Sequence, residues 1–208
     1  MQYTRVMKQF IMHNAADLLH PSQGKGKDRS ISMAENLIFL VDHAKPDAKF
    51  IISAHNGHTR VADDSIEEPN LGSFLRAKYG PGYFAFGFEF NQGSFFTRTV
   101  LPENLLGDLK EVTLSPAQSE SLSWYLSHTN MGVLILNLRG PVVNPFVDQW
   151  LNTPQKVHSV NWAYGAAASD YLYFDSPREY DGIIFIERTT ASHPTANALR
   201  TISNRDGL

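Results

Sequence analysis

The sequence predicts an α/β fold in which a central mostly parallel or mixed sheet is flanked by helices. Three observations predict it. A helical pattern, a proline turn and a short apolar strand follow one another before Ala54, which is the grammar of an α/β domain. Gly132 to Leu138 is a continuous apolar run of the kind a strand covered on both faces needs. Asp181 to Thr190 adds another buried strand that delivers polar groups to its carboxyl end.

The bulk properties narrow the class. A chain of 208 residues, 42% hydrophobic and 12% aromatic, fits one globular domain over residues 1–208 with a real core. A net charge of −3 and a pI of about 6.2 advertise no basic face for nucleic acid. The absence of cysteine excludes disulfides, thiolate metal sites and a cysteine nucleophile. The longest apolar runs fall far short of a membrane span, and the first ten residues lack the apolar stretch of a secretory signal. The expectation is a soluble cytoplasmic protein with no nucleic-acid or membrane partner.

Taken in order, Met1 to Leu19 reads as a helix with Val6, Phe10, Ile11, Ala15 and Leu18 inward and Arg5, Lys8 and Asp17 outward. It starts without an N-cap, as natural domains and fragments both can. Pro21 to Asp28 is a glycine-rich loop; no strand precedes Gly24 and Gly26, so a phosphate loop has no support. Asp28 or Ser30 caps a second helix to about Ala44, with Ile31, Ala34, Leu37, Ile38 and Val41 as its apolar stripe. Lys45-Pro46-Asp47 closes it. The apolar Phe50-Ile51-Ile52 is then the heart of a buried strand, Lys49 to Ala54.

Ala62 to Asn70 is an acidic surface loop, and Leu71 to Tyr79 a short helix with Leu71, Phe74 and Leu75 inward. Gly80-Pro81-Gly82 breaks it. Tyr83 to Phe90 is strongly strand-like, and Asn91-Gln92-Gly93-Ser94 predicts a hairpin turn into a returning strand, Phe95 to Leu101. Glu89 is costly to bury there without a partner. Glu111 to Leu114 predicts another strand, and Ser115-Pro116-Ala117 a helix start, since proline at the first helical position loses no bond. That helix carries Leu122, Tyr125 and Leu126. Pro145 to Leu151 predicts one or two helical turns, Val157 to Trp162 a weaker strand, and the tail from Pro194 is loosely held.

The candidate chemistry begins at Ala54-His55-Asn56-Gly57-His58. Ligands of open α/β sheets collect beyond the carboxyl ends of strands, and two imidazoles stand there three residues apart. As metal ligands they need a third partner, for which Asp63, Glu89 and Glu187 are the candidates. As acid/base groups they need only suitable pKa values and a carboxylate, Glu187 or Glu89, to orient one ring. The second reading is favoured, with no metal and no cofactor. Neighbouring imidazoles repel when both are charged, so one stays neutral as a base. No Gly-x-Ser-x-Gly elbow is present, so activated water is the natural nucleophile.

These residues also resemble a known family. Ser32-Met33-Ala34-Glu35-Asn36, Ala54-His55-Asn56-Gly57-His58, Tyr79-Gly80 with the aromatic strand and Gly93-Ser94-Phe95, and Asp181 to Thr190 resemble, in order, blocks of the erythromycin esterase family. Arg29 is in frame with the family's Arg-Asp pair, but Ser30 stands where aspartate is usual. The resemblance implies an erythromycin-esterase-like α/β fold and hydrolysis of a small-molecule ester, best known as opening of a macrolide lactone by water. It implies catalytic roles for His55, His58 and Glu187, with Asn56, Arg188, Phe95 and Trp162 on the substrate. The family's early Gly-Glu-x-x-His-Gly segment, which carries the proposed catalytic base, is absent, His55 and His58 match the second of the family's two histidine-bearing segments, and family chains are about twice as long. The expectation is therefore an incomplete, C-terminal part of the family domain, prone to self-association unless a missing N-terminal half is supplied. A non-catalytic binding module linked to exopolysaccharide (succinoglycan) biosynthesis is the alternative, with Trp162, Tyr164 and Phe95 available to stack a sugar.

Overall fold

The computed structural model describes residues 2–19, 25–61, 69–101, 105–158, 160, 163–165, 171–174 and 177–195. The elements are α1 (Gln2–Leu19), α2 (Lys25–Asp42), α3 (Asn56–Thr59), α4 (Leu71–Tyr79), β1 (Phe86–Val100), β2 (Leu106–Leu114), α5 (Leu122–Ser127), β3 (Val133–Asn137), α6 (Pro145–Leu151), β4 (Gln155–His158), β5 (Ala163–Tyr164), β6 (Tyr171–Phe174) and β7 (Gly182–Thr189). The expected α/β class with a mixed sheet holds. The main sheet has the order β2-β1-β7-β3, with β5 beside β1. Strand β1 runs antiparallel to β2, with Gly93 opposite Leu114 and Val100 opposite Leu106, and parallel to β5. A separate antiparallel pair joins β4 to β6.

The chain divides into two compact units. The first holds Met1–Phe88, Ile135–Thr153 and Asp175–Ile184; the second holds Glu89–Leu134, Pro154–Phe174 and Phe185–Leu208. In the first, Ala34 of α2 and Leu71 and Leu75 of α4 form a buried cluster, with Leu37, Ile38, Ile52 and Phe74 packed against it. Helix α4 has the predicted bounds because its signals are local. Asn70 caps it by accepting from Ser73 N–H, and Gly80 ends it at a positive φ of 53°.

The same unit is tied by ion pairs. Asp181, 7% exposed, accepts from Arg76 at 2.5 Å, from Arg139 Nε at 2.7 Å and from Ala85 N–H at 2.7 Å. Arg139 also donates to the carbonyls of Pro81 and Tyr83. In the second unit, α5 packs on β4, and Leu122, Leu126, Val157 and Phe185 are buried.

Several expectations are overturned. Helix α2 begins at Lys25, ahead of Asp28 and Ser30. Helix α1 meets α2 through amides, with Gln2 donating to Asn36, Gln9 to Glu35 and Asn36 to Gln9, while Val6, Phe10 and Ile11, expected inward, are exposed; the side chains of Ala15 and Leu18 lie outside what is described. Lys49 to Ala54 is not a strand, and Phe50 and Ile51 face solvent. A strand exists only where a neighbour completes its ladder, and among the described residues none pairs with this stretch.

The turn expected at Asn91-Gln92-Gly93-Ser94 lies instead in the middle of β1, which reverses only beyond Val100. Its polar residues serve internal bonds. A Cβ at Gly93 (φ 126°) would stand 2.2 Å from the Thr189 carbonyl oxygen, so glycine is there for close backbone approach. Ala117 N–H is taken by Asn91 Oδ1 at 2.9 Å, and the helix expected at Ser115 starts at Leu122, where Ser121 Oγ accepts from Trp124 N–H. Strand β3 keeps one face open, with Val133 and Ile135 exposed rather than covered. The weaker strand is shifted to Gln155–His158. The acidic residues Asp63, Asp64, Glu67 and Glu68, Trp162 and the tail beyond Thr195 lie outside the described residues.

Candidate functional site

The histidine segment folds as a loop entering a single helical turn. His55 is the N-cap of α3, with φ −62° and ψ 147°. Its ring Nδ1 accepts from Gly57 N–H at 3.2 Å, the capping bond usually made by a Ser or Asp oxygen. A neutral ring that accepts at Nδ1 carries its proton on Nε2. The exposed His55 therefore presents a donor at its outer edge.

His58 lies at the end of the same turn and is partly buried. Burial, then the Arg29 guanidinium, then the His55 ring all push its pKa below the usual 6.5. The mutual repulsion expected between the two imidazoles operates, with desolvation the larger cause. At neutral pH His58 is an uncharged imidazole with base character.

A turn of four residues cannot hold itself together, because nucleation costs more than one or two bonds return. Here the surroundings hold it. Asn56 Nδ2 donates to the Phe88 carbonyl at 2.7 Å and Asn56 Oδ1 accepts from Phe88 N–H at 3.0 Å. The Asn56 carbonyl accepts from Arg60 N–H at 3.0 Å and Tyr180 Oη at 3.2 Å. Asn70 donates to the Gly57 carbonyl, and Tyr83 Oη to the Thr59 carbonyl at 2.7 Å. Burial, opposed by Arg76 and aided by Asp181, pushes the Tyr83 hydroxyl up to about 12, so it stays a donor. Arg60 pairs with the buried Glu179 at 3.0 Å. At Gly72 of α4 a Cβ would stand 2.1 Å from the Arg60 carbonyl oxygen, so α4 presses directly on the end of the turn.

The other expected site residues belong to the second unit. Glu187 accepts from Asn91 Nδ2 at 2.5 Å and Gln92 Nε2 at 3.4 Å, and Arg188 beside it is exposed. Phe95 is edge-on to Phe90 at 6.3 Å and to Tyr164 at 5.8 Å between centroids, inside an aromatic cluster. Glu89, 6% exposed, accepts from Ser123 Oγ at 2.6 Å, which answers the need for a partner. Burial pushes its carboxyl up to about 7 against the opposing hydrogen bonds of Ser123 and the His158 backbone. Among the described residues no group of three or more His, Asp or Glu could hold a metal ion. Sequence reading missed Glu179, Tyr83 and Tyr180, the groups that fix the histidine turn. Two of these lie more than a hundred positions from their partners.

A sequence model of the erythromycin esterase family matches residues 1–189. The chain belongs to the erythromycin esterase family. Solved structures share the fold of this family member at low identity. A Bacillus cereus protein is 20% identical with a TM-score of 0.72, covering 91% of this chain and 44% of that one. A succinoglycan biosynthesis protein is 18% identical, with a TM-score of 0.66 over 80% of this chain and 39% of its own. A histidine-to-asparagine mutant of the erythromycin esterase EreC in its open conformation is 18% identical, with a TM-score of 0.52, covering 88% and 41%. This erythromycin esterase family chain spans less than half the length of each. No curated protein matches it. No helix among the described residues is long and apolar enough to cross a membrane.

Proposed function

We propose that this chain contributes to ester hydrolysis of the erythromycin esterase type, with a macrolide lactone or related small-molecule ester as substrate and water as nucleophile. The observation that carries the reading is a neutral imidazole, His58, held in one clamped turn with an exposed imidazole, His55, whose proton lies on Nε2. Water adds to the carbonyl carbon as its proton passes to His58. His55 donates from Nε2 to the carbonyl oxygen as negative charge gathers there. The C–O bond to the alcohol then breaks and the proton is returned to the leaving oxygen. Glu187, Arg188, Phe95 and Trp162 are proposed, on the family resemblance, as groups that serve the substrate. The cytoplasm is the proposed compartment, and residues 1–208 form one part of a longer family domain.

The test is incubation of the full-length protein, as its source cells make it, with a macrolide, read by mass spectrometry. A product heavier by one water is expected; an unchanged mass overturns the reading. In the active protein His55→Ala lowers turnover by about a hundredfold or more, and a loss under about tenfold removes that ring from the chemistry. The likeness to a succinoglycan biosynthesis protein supports a second reading, a module that binds a polysaccharide without cutting it. Saturable polysaccharide binding with no mass change on any ester favours that one.

A further inference from the structure

We infer that Asn56 is a positioning residue, a side-chain clasp to the main chain of Phe88 that fixes the tautomer of His55. The inference rests on the histidine pair being the reacting groups. The sequence places Asn56 on the substrate, but both ends of its carboxamide are spent on one backbone residue, Nδ2 on the Phe88 carbonyl at 2.7 Å and Oδ1 on the Phe88 N–H at 3.0 Å. The two bonds fix the plane of the carboxamide, so its second N–H and second lone pair cannot be turned toward a substrate without breaking them.

The pairing copies what a neighbouring strand does, meeting one residue's donor and acceptor together. Its consequence falls on His55. Asn56 is the first residue of a four-residue helix, and the Gly57 N–H that reaches His55 Nδ1 is the next amide along. With the clasp closed, that amide points at Nδ1 and the proton stays on Nε2. With the clasp open, so short a helix frays and the ring samples both tautomers.

The experiment is nitrogen-15 NMR of the His55 ring in the full-length protein and in the variants Asn56→Ala and Asn56→Asp. Asn56→Asp keeps the shape and the acceptor but has no donor for the Phe88 carbonyl. In the unaltered protein, Nδ1 should show the shift of an acceptor nitrogen and Nε2 that of a protonated one. The same spectra should show one Asn56 side-chain amide proton protected from exchange. Both variants should bring the two ring shifts toward a common average, and kcat on an active ester should fall with KM nearly unchanged. A variant that keeps the wild-type ring shifts overturns the inference, as does an unprotected Asn56 amide in the unaltered protein, which needs no variant to fold. Absence of hydrolysis alongside a clasp-dependent tautomer removes the enzymatic reading and leaves the clasp standing.

Discussion

Two acids, one in each compact unit, expose nearly the same small fraction of their surface and shift their pKa in opposite directions. Asp181 is 7% exposed and Glu89 is 6% exposed. Burial pushes both carboxyls up. At Asp181 hydrogen bonds from Arg139, Arg76 and Ala85 N–H, with the charge of Arg76, overcome it and hold the carboxyl below its ordinary 3.8. At Glu89 a serine hydroxyl and a backbone amide do not, and the carboxyl rises to about 7. Paired guanidinium groups outweigh desolvation at Asp181, while at Glu89 desolvation is the largest influence and only neutral hydrogen-bond donors oppose it.

The largest expected effect comes from breaking the charged case. Asp181→Asn leaves Arg76 and Arg139 facing a neutral amide and disturbs the contact with Ala85. Both arginines keep some solvent access, so the cost is at the low end for a broken buried pair, about 3 kcal/mol in urea unfolding at neutral pH. Its pH dependence follows from the lowered pKa. The stabilisation is present above the unfolded value and is lost as pH falls through the lower folded one. The gap between variant and parent should therefore narrow in acid; a gap that stays constant to pH 2 contradicts the pairing.

Glu89 sharpens the comparison with an effect of opposite sign. Its folded pKa is raised, so the stability tied to its protonated form is full below the ordinary 4.5 and is lost as pH rises to about 7. The slope across that window is at most about 1.4 kcal/mol per pH unit. Glu89→Gln should flatten it, leaving the variant the more stable form at pH 8 and near the parent at pH 4. Equal slopes in the two proteins would show that Glu89 ionises as freely in the folded state as in the unfolded one.

Elements whose signals are local were legible in the sequence. Leu71–Tyr79 and Pro145–Leu151 carry their own caps, Asn70 and Asn144, so their bounds follow from adjacent residues. Elements defined by a distant partner were not. Phe50-Ile51-Ile52 has strand composition but no ladder among the described residues, while Asn91 to Ser94 has turn composition and is strand because β1 lies between β2 and β7, with Gly93 and Ser94 opposite Leu114 and Thr113. The site divides the same way. The spacing of His55 and His58 gave their nearness and the smallest of the three causes that keep His58 neutral; its burial and the charge of Arg29 were not legible there. Nothing near them in sequence announced Phe88, Glu179 or Tyr180, which hold the turn.

His58 brings burial and charge together at the site itself, as a partly buried group whose neutral form is favoured first by desolvation and then by the nearby Arg29 and His55. Its titration, followed by NMR of the ring protons in the full-length protein, tests that most directly. The account predicts a midpoint below 6.5, moving up toward 6.5 when Arg29→Gln removes the larger of the two electrostatic contributions. A midpoint at or above 6.5 in the unaltered protein would mean a charged imidazole near neutral pH, and His58 could not serve as the resting base.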